Sequence, residues 1–417
     1  MFKKRVSPFT CIIIAAAVCA LTFVGVFARM TVKKDEELNK LRSQISVFAS
    51  SAGLINAIGE DAGNYEKLAG LVNAAKEHFL WDFNEEEVWD AIYKASLSSL
   101  GDQYTYYMNA EEYKKRNQGV GGNVGIGIRR TADPVTGGIY VVDVMEDSPA
   151  GKAGLLEGDV IIAIGEVKAD VNDPEALIKR IQNGADGETL NFTVMRGGIE
   201  TDLELTLGTV PNDCVYSLGI DEKTRLIVIS SFFGGTAYSE FCSELDKAIA
   251  DGCEKLIFDL RDDGGGMLDQ VTKILDKLLP EGDLVRYYDY DGSERVYRSD
   301  ADHIDMPMAV LCNGGTASAA ELFTCAMKDY GAAVIVGETT FGKGIMQNLK
   351  SLPDGSGFSI TTSYYFPPSG ENYHGTGVVP DHILEFEGEH DLSYYLDPLS
   401  RDNQLKLAYD LLNGAAE

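Results

Sequence analysis

Three short stretches of the sequence combine residue types that could supply a nucleophile, a base and an oxyanion site. The first is Asn313-Gly314-Gly315-Thr316-Ala317-Ser318-Ala319-Ala320-Glu321, which joins an apolar run at 308–311 to a segment with Leu322, Phe323, Ala326, Met327 and Tyr330 at helical spacing. A serine at a helix start is an N-cap, or it is a nucleophile whose oxyanion sits at the positive end of the helix dipole. The two glycines before it let a substrate backbone come close. The second stretch is Thr340-Phe341-Gly342-Lys343-Gly344, with Gln347 four residues beyond the lysine. A lysine between glycines is a solvated loop residue, a phosphate ligand, or, where burial favours the neutral amine, a base for a serine hydroxyl. Gln347 can orient that amine by a hydrogen bond. The third is Asp259-Leu260-Arg261-Asp262-Asp263-Gly264-Gly265-Gly266-Met267-Leu268. It is either a tight strand-to-helix turn or the source of an N–H that pairs with that of Ala319 as an oxyanion hole.

Other chemistries lack their residues. The five histidines are His78, His303, His374, His382 and His390, and none lies in a zinc-ligand spacing. There is no G-x-S-x-G elbow and no Walker or Rossmann fingerprint. The seven cysteines form no C-x-x-C, so buried free thiols are expected rather than a disulfide framework or a metal site. A net charge of −29 repels phosphate backbones, which argues against nucleic acid as a partner. At 417 residues, two or three domains can each bury a core.

The elements that must position these stretches follow from hydrophobic pattern. Continuous apolar runs at 226–230, 256–260, 309–311 and 334–336 alternate with helical segments at 236–250, 268–279 and 318–330. That pattern describes an α/β core whose strands are buried on both faces. A last helix is expected at 403–412. Upstream, two helical patterns between Asn64 and Leu100 stop at Gly101-Asp102. Between Gly119 and Leu207 short strands dominate, at 139–144, 160–164, 190–195 and 201–207, with one helix near 174–181. At the start, Lys3, Lys4 and Arg5 precede an apolar stretch from Pro8 to Ala28 that holds no charge. About 20 apolar residues span a bilayer, and the cations should remain cytoplasmic. The alternative is a cleavable signal peptide with small residues around Ala28, but its apolar core usually runs only about 7–15 residues. Leu38, Leu41, Ile45 and Phe48 then suggest a short amphipathic stalk.

Within the β-rich stretch, Ser148-Pro149-Ala150-Gly151-Lys152-Ala153-Gly154-Leu155, followed by Glu157-Gly158-Asp159-Val160-Ile161, resembles the signature of bacterial PDZ domains. Gly125-Ile126-Gly127-Ile128 matches the loop with which such domains hold a peptide's terminal carboxylate while the peptide adds as a strand. Taken together, the chain resembles the carboxyl-terminal processing peptidases (tail-specific proteases) of peptidase family S41. The resemblance rests on the three stretches above, Leu100-Gly101-Asp102-Gln103-Tyr104-Thr105, the inserted module and Gly377-Val378-Val379-Pro380-Asp381. It implies Ser318 as nucleophile, Lys343 as general base, Gln347 as its orienting partner, and Gly265 and Ala319 as oxyanion donors. Gly125, Ile126, Gly127 and Ile128 would bind the peptide terminus.

The expected fold is α/β: a ClpP/crotonase-like core with an inserted β-rich PDZ domain, an N-terminal helical domain and one transmembrane helix. The expected divisions are a cytoplasmic tail at 1–7, an anchor or signal at 8–28, a helical stalk at 29–60, a helical domain at 61–118, the PDZ domain at 119–209, the protease core at 210–386 and a helical segment at 387–417. No cofactor or metal is called for. The expected partners are proteins or peptides taken by their C-termini, and the membrane through the N-terminal helix; the resemblance and the terminal helices suggest a homodimer. The catalytic part is expected outside the cytoplasm, at the cell membrane. The competing reading is a non-catalytic PDZ scaffold on the same fold, and the presence of serine, lysine and glutamine together favours the peptidase. Regulated relatives resemble one another in an I-R-G sequence whose arginine links the loaded PDZ domain to the catalytic site. Here the stretch is Ile181-Gln182-Asn183-Gly184, so a weaker dependence on tail binding is expected.

Overall fold

The computed structural model describes residues 52–118, 123–145, 147–210, 214–289 and 291–415. The expected anchor at 8–28 and the stalk positions Leu38 to Phe48 lie outside the described residues. Among the described residues, no helix is long and apolar enough to cross a membrane. The chain divides into two compact units, 1–89 and 90–417. In the first, the Ala52–His78 helix is followed by a turn where Phe79 meets Trp81 and Phe83 edge-on, and then by the start of the Glu85–Ser98 helix.

The second unit is organised around a six-stranded sheet. Thr224–Ile229, Lys255–Asp259, Met308–Cys312, Ala333–Gly337 and His382–Ile383 run parallel in that order, and Val215–Gly219 lies antiparallel at one edge. Successive side chains alternate between two apolar layers, which explains the unbroken hydrophobic runs. Ile227, Phe258, Val310 and Ile335 pack with Phe241, Ile274 and Phe323 from the helices Ala237–Ala250, Leu268–Leu278 and Ala319–Asp329. Leu226, Ile257, Leu311 and Val336 pack on the other side against Leu405 and Ala408 of the Asn403–Leu412 helix. Because the three central strands are parallel, the turns after Asp259, Cys312 and Gly337 all emerge at one edge of the sheet.

A second sheet has no counterpart in the sequence-based expectations. Its centre is Gly357–Phe366, which pairs with Tyr106–Met108, Ile345–Ser351 and Gly282–Tyr288; the last of these continues to Glu294–Ser299.

The β-rich module has an antiparallel sheet of Ile128–Ala132, Ile139–Val144, Val160–Ile164, Thr189–Arg196 and Ile199–Thr206. The Ala176–Gln182 helix packs on it through Leu177, Ile178 and Ile181, beside Ile161, Phe192 and Leu205. Asn123–Gly125 pairs antiparallel with Gly208–Val210, so the chain enters and leaves the module side by side. The module also touches the core: Arg129 pairs with Asp143 and lies 4.2 Å from the ring centroid of Tyr216 on the edge strand.

Candidate active site

Ser318 ends the turn after Met308–Cys312 and is the N-cap of the Ala319–Asp329 helix. Its backbone is left-handed, with φ 57° and ψ −114°, a conformation costing about 1–3 kcal/mol for a non-glycine residue. Neighbouring turns hold it there. Thr316 donates its hydroxyl to the Leu260 carbonyl at 2.7 Å, and the Ala317 N–H donates to the Asp263 carbonyl at 2.8 Å. The Phe341 N–H donates to the Thr316 carbonyl at 3.0 Å. The three stretches singled out by residue type are therefore one hydrogen-bonded assembly.

Its centre is Glu321, a fully buried carboxylate in the first turn of the same helix. Oε2 accepts the Ser318 N–H at 2.8 Å and the Lys343 N–H at 2.7 Å. Oε1 accepts the Thr340 hydroxyl and the Gly342 N–H, each at 2.6 Å. The backbone nitrogens of Ser318 and Lys343 thus lie within two hydrogen-bond lengths of each other. The sequence reading gave Glu321 no role. The signal was available, because Ser318 and Glu321 stand at the spacing of a capping box, whose acidic residue reaches back to the N-cap N–H.

Lys343 is half-buried in the loop that leads into Ile345–Ser351. Its Nζ lies 4.6 Å from the centroid of the Tyr104 ring and has no hydrogen bond or ion pair among the described residues. Burial pushes the amine below its ordinary value near 10.5, and the Arg116 guanidinium adds to the push; Glu321 and Asp102 oppose it. Tyr104 is held in place by its own loop. Asp102 accepts the Tyr104 N–H at 3.0 Å and the Thr105 hydroxyl at 2.6 Å, and the Thr105 oxygen accepts the Thr361 N–H at 3.0 Å. The Leu100–Thr105 motif therefore docks on the central strand of the second sheet and sets an aromatic face against the amine. Beneath the site, Tyr365 donates to the Lys343 carbonyl at 2.7 Å, and Tyr373 donates to the Tyr365 hydroxyl at 2.9 Å.

The remaining expected site residues are placed as follows. Gln347 lies on Ile345–Ser351, just after a bulge, and its amide donates to the Thr361 hydroxyl at 3.2 Å; no bond joins it to Lys343 in this structure. The N–H of Ala319, at the first helical position, has no protein acceptor among the described residues. Gly265 lies against the turn that ends at Ser318, at φ 93°, where a Cβ would come 2.6 Å from the Ala317 oxygen and 2.8 Å from both the Ala319 nitrogen and the Ser318 Cβ. Only glycine fits there. Its N–H is engaged, donating to Asp263 Oδ1 at 2.7 Å. Asp263 is fully buried, its Oδ2 has no partner, and burial pushes its carboxyl up to about 8. The aspartate and arginine of the same motif serve the fold. Buried Arg261 bonds Asp259 at 2.6 Å and Asp402, the N-cap of the last helix, at 2.7 Å.

In the module, Gly125 ends the Asn123–Gly125 strand and Ile128 begins Ile128–Ala132. Gly127 between them has φ 76°, and a Cβ there would strike the Ser148 Cβ at 2.4 Å. Ile126 is buried. The N–H groups of Ile126 and Gly127 have no protein acceptor among the described residues. They border a groove of about 660 Å³ between Ile128–Ala132 and the Ala176–Gln182 helix. Among the described residues, no cluster of three or more His, Cys, Asp or Glu side chains could hold a metal ion.

Comparison with known proteins follows the same division. The family model for peptidase family S41 matches residues 223–384, and that for the PDZ domain matches residues 122–207. The "Probable CtpA-like serine protease" of Staphylococcus saprophyticus is 29% identical over 328 residues, covering 77% of this chain and 65% of the relative. The chain thus spans just under two thirds of that relative's length. The carboxy-terminal processing protease CtpA of Bacillus subtilis is 30% identical over 336 residues, covering 79% of this chain and 71% of that protein. A solved structure from Bacteroides fragilis aligns with a TM-score of 0.51 at 15% identity, covering 79% of this chain and 90% of that one, which is a likeness of fold.

Proposed function

We propose, from the premise that this chain belongs to the carboxy-terminal processing proteases of peptidase family S41, that Ser318 and Lys343 act as a dyad which cleaves proteins captured by their C-terminal tails. The observation that carries the reading is the single carboxylate oxygen shared by the backbone of Ser318 and Lys343. It fixes a hydroxyl-bearing loop and an amine-bearing loop side by side, and the amine is depressed by burial.

The steps follow from those groups. Neutral Lys343 takes the Ser318 proton as Oγ attacks the scissile carbonyl. The oxyanion forms at the positive end of the Ala319–Asp329 helix, where the Ala319 N–H is free to donate. Gly265 becomes the second donor when its N–H leaves Asp263. The protonated Lys343 then delivers its proton to the leaving amine, and water, activated by the same amine, releases the acyl group from Ser318. Gln347 orients the amine once a substrate strand rearranges the bulge that precedes it. The module holds the tail by its terminal carboxylate on the N–H groups around Gly125, Ile126, Gly127 and Ile128. The working place is the outer side of a membrane, with residues 8–28 as the tether.

Ser318→Ala and Lys343→Ala should each abolish cleavage of a test protein carrying an apolar C-terminal tail. Since the amine must be uncharged and its pKa is lowered, wild-type kcat/KM should rise with pH and level off below 10.5. Normal turnover by Lys343→Ala, or a rate unchanged from acid to alkaline pH, would exclude the dyad.

A further inference from the structure

We infer that the groove of the module selects tails whose antepenultimate residue is acidic, and that Arg130 is the cation that reads it. The inference rests on the tail-capture reading and adds to it the chemistry of the preferred tail.

Apart from one residue, the described side chains facing the groove are apolar or uncharged; they include Ile126, Ile128, Met145, Ile178 and Gln182. The exception is Arg130. It is exposed, and it makes no ion pair or hydrogen bond with any described residue. Its neighbour Arg129 is occupied instead, paired with Asp143 and stacked on Tyr216. Among the described residues, no aspartate or glutamate lines the groove. A guanidinium left without a counter-ion, in a chain of net charge −29, is a local reversal of sign.

The strand register assigns the position. Ile128 and Arg130 line the groove and Arg129 does not, as the alternation of a strand requires. A peptide that seats its terminal carboxylate on the N–H groups of Ile126 and Gly127 runs antiparallel beside Ile128–Ala132. Its last side chain and the one two residues earlier then face the same side. The last side chain falls among Ile126, Ile128, Ile178 and Ile181, an apolar seat. The earlier one falls beside Arg130. A carboxylate there gains a charge-assisted hydrogen bond at the groove wall, while a lysine is repelled.

The test uses the full chain carrying Ser318→Ala, so that probes survive. Fluorescein-labelled decapeptides ending in Glu-Ala-Val, Ala-Ala-Val and Lys-Ala-Val are titrated by anisotropy, together with a C-terminal amide of the first. The expected order is Glu tighter than Ala tighter than Lys, with about tenfold between the extremes, a spread that shrinks with added salt. Arg130→Glu should invert the order, and Arg130→Lys should keep it. Arg130 is exposed, so both variants should keep the wild-type Tm. Equal affinity for the three free tails, all lost on amidation, overturns the role of Arg130 and leaves tail capture standing. No binding of any probe, or binding indifferent to amidation, sinks tail capture and this inference with it.

Discussion

Asp263 sits fully buried beneath the turn that ends at Ser318, with one oxygen on the Gly265 N–H and the other without a partner among the described residues. Burial favours its neutral form, raising the carboxyl from its ordinary 3.8 to about 8. The sign of the linkage follows. Below about pH 4 both folded and unfolded states hold the proton and Asp263 costs nothing. Between pH 4 and 8 the unfolded chain releases it while the folded chain keeps it, so stability falls as pH rises. Asp263→Asn keeps an oxygen for Gly265 and removes the titration. Its Tm advantage over wild type should therefore grow from pH 4 to pH 8 and level off above, as scanning calorimetry would read. A Tm difference that stays constant with pH would show that Asp263 is ionised in the fold. The same residue shows a limit of the sequence: nothing in Asp262-Asp263 distinguishes the exposed carboxylate that bonds Asn313 from the buried one that holds Gly265.

At the scale of elements, Glu321 joins a strand-to-helix turn to the loop after the next strand, with four donors on two oxygens. Glu321→Gln replaces one acceptor oxygen by an NH2 group and strands two of those donors. Leaving two buried donors unpaired should cost roughly 2–6 kcal/mol by denaturant unfolding and reduce kcat far more than it raises KM. Unchanged stability would mean that the loops are held by other bonds. Which elements could be read in advance follows the same physics. The parallel strands carry their own signal, because burial on both faces requires continuous apolar runs such as Leu256 to Phe258. The second sheet carries little. Ile345–Ser351 becomes exposed along its length, and Gly357–Phe366 is flanked by strands from both before and after the module. No local pattern announces that Tyr106–Met108 will pair with residues some 250 positions away, although that pairing brings Tyr104 to Lys343. Ser318, Lys343 and the glycine turn were legible because each lies at the end of a legible strand. Gln347 was legible as a residue but not in its contact, which a strand bulge determines.

For the molecule as a whole, a net charge of −29 opposes any approach to anionic headgroups. On the proposed tethering, residues 8–28 would have to carry the membrane association against that charge. The full chain should stay with the membrane through high salt and alkaline carbonate and leave only in detergent, while a chain lacking residues 1–28 should be soluble, as sedimentation and blotting would show. Release of the full chain by salt or carbonate would remove the tether from the reading. The PDZ module is placed so that it can be treated as a cassette. Its first and last strands are partners, with Asn123 opposite Val210. Cross-strand partners stand only about 5 Å apart at Cα. On the proposed tail capture, a graft at that seam would exchange one tail preference for another and leave the spacing of the two core chain ends unchanged, so substrate choice could diversify without reworking the proposed cleavage site.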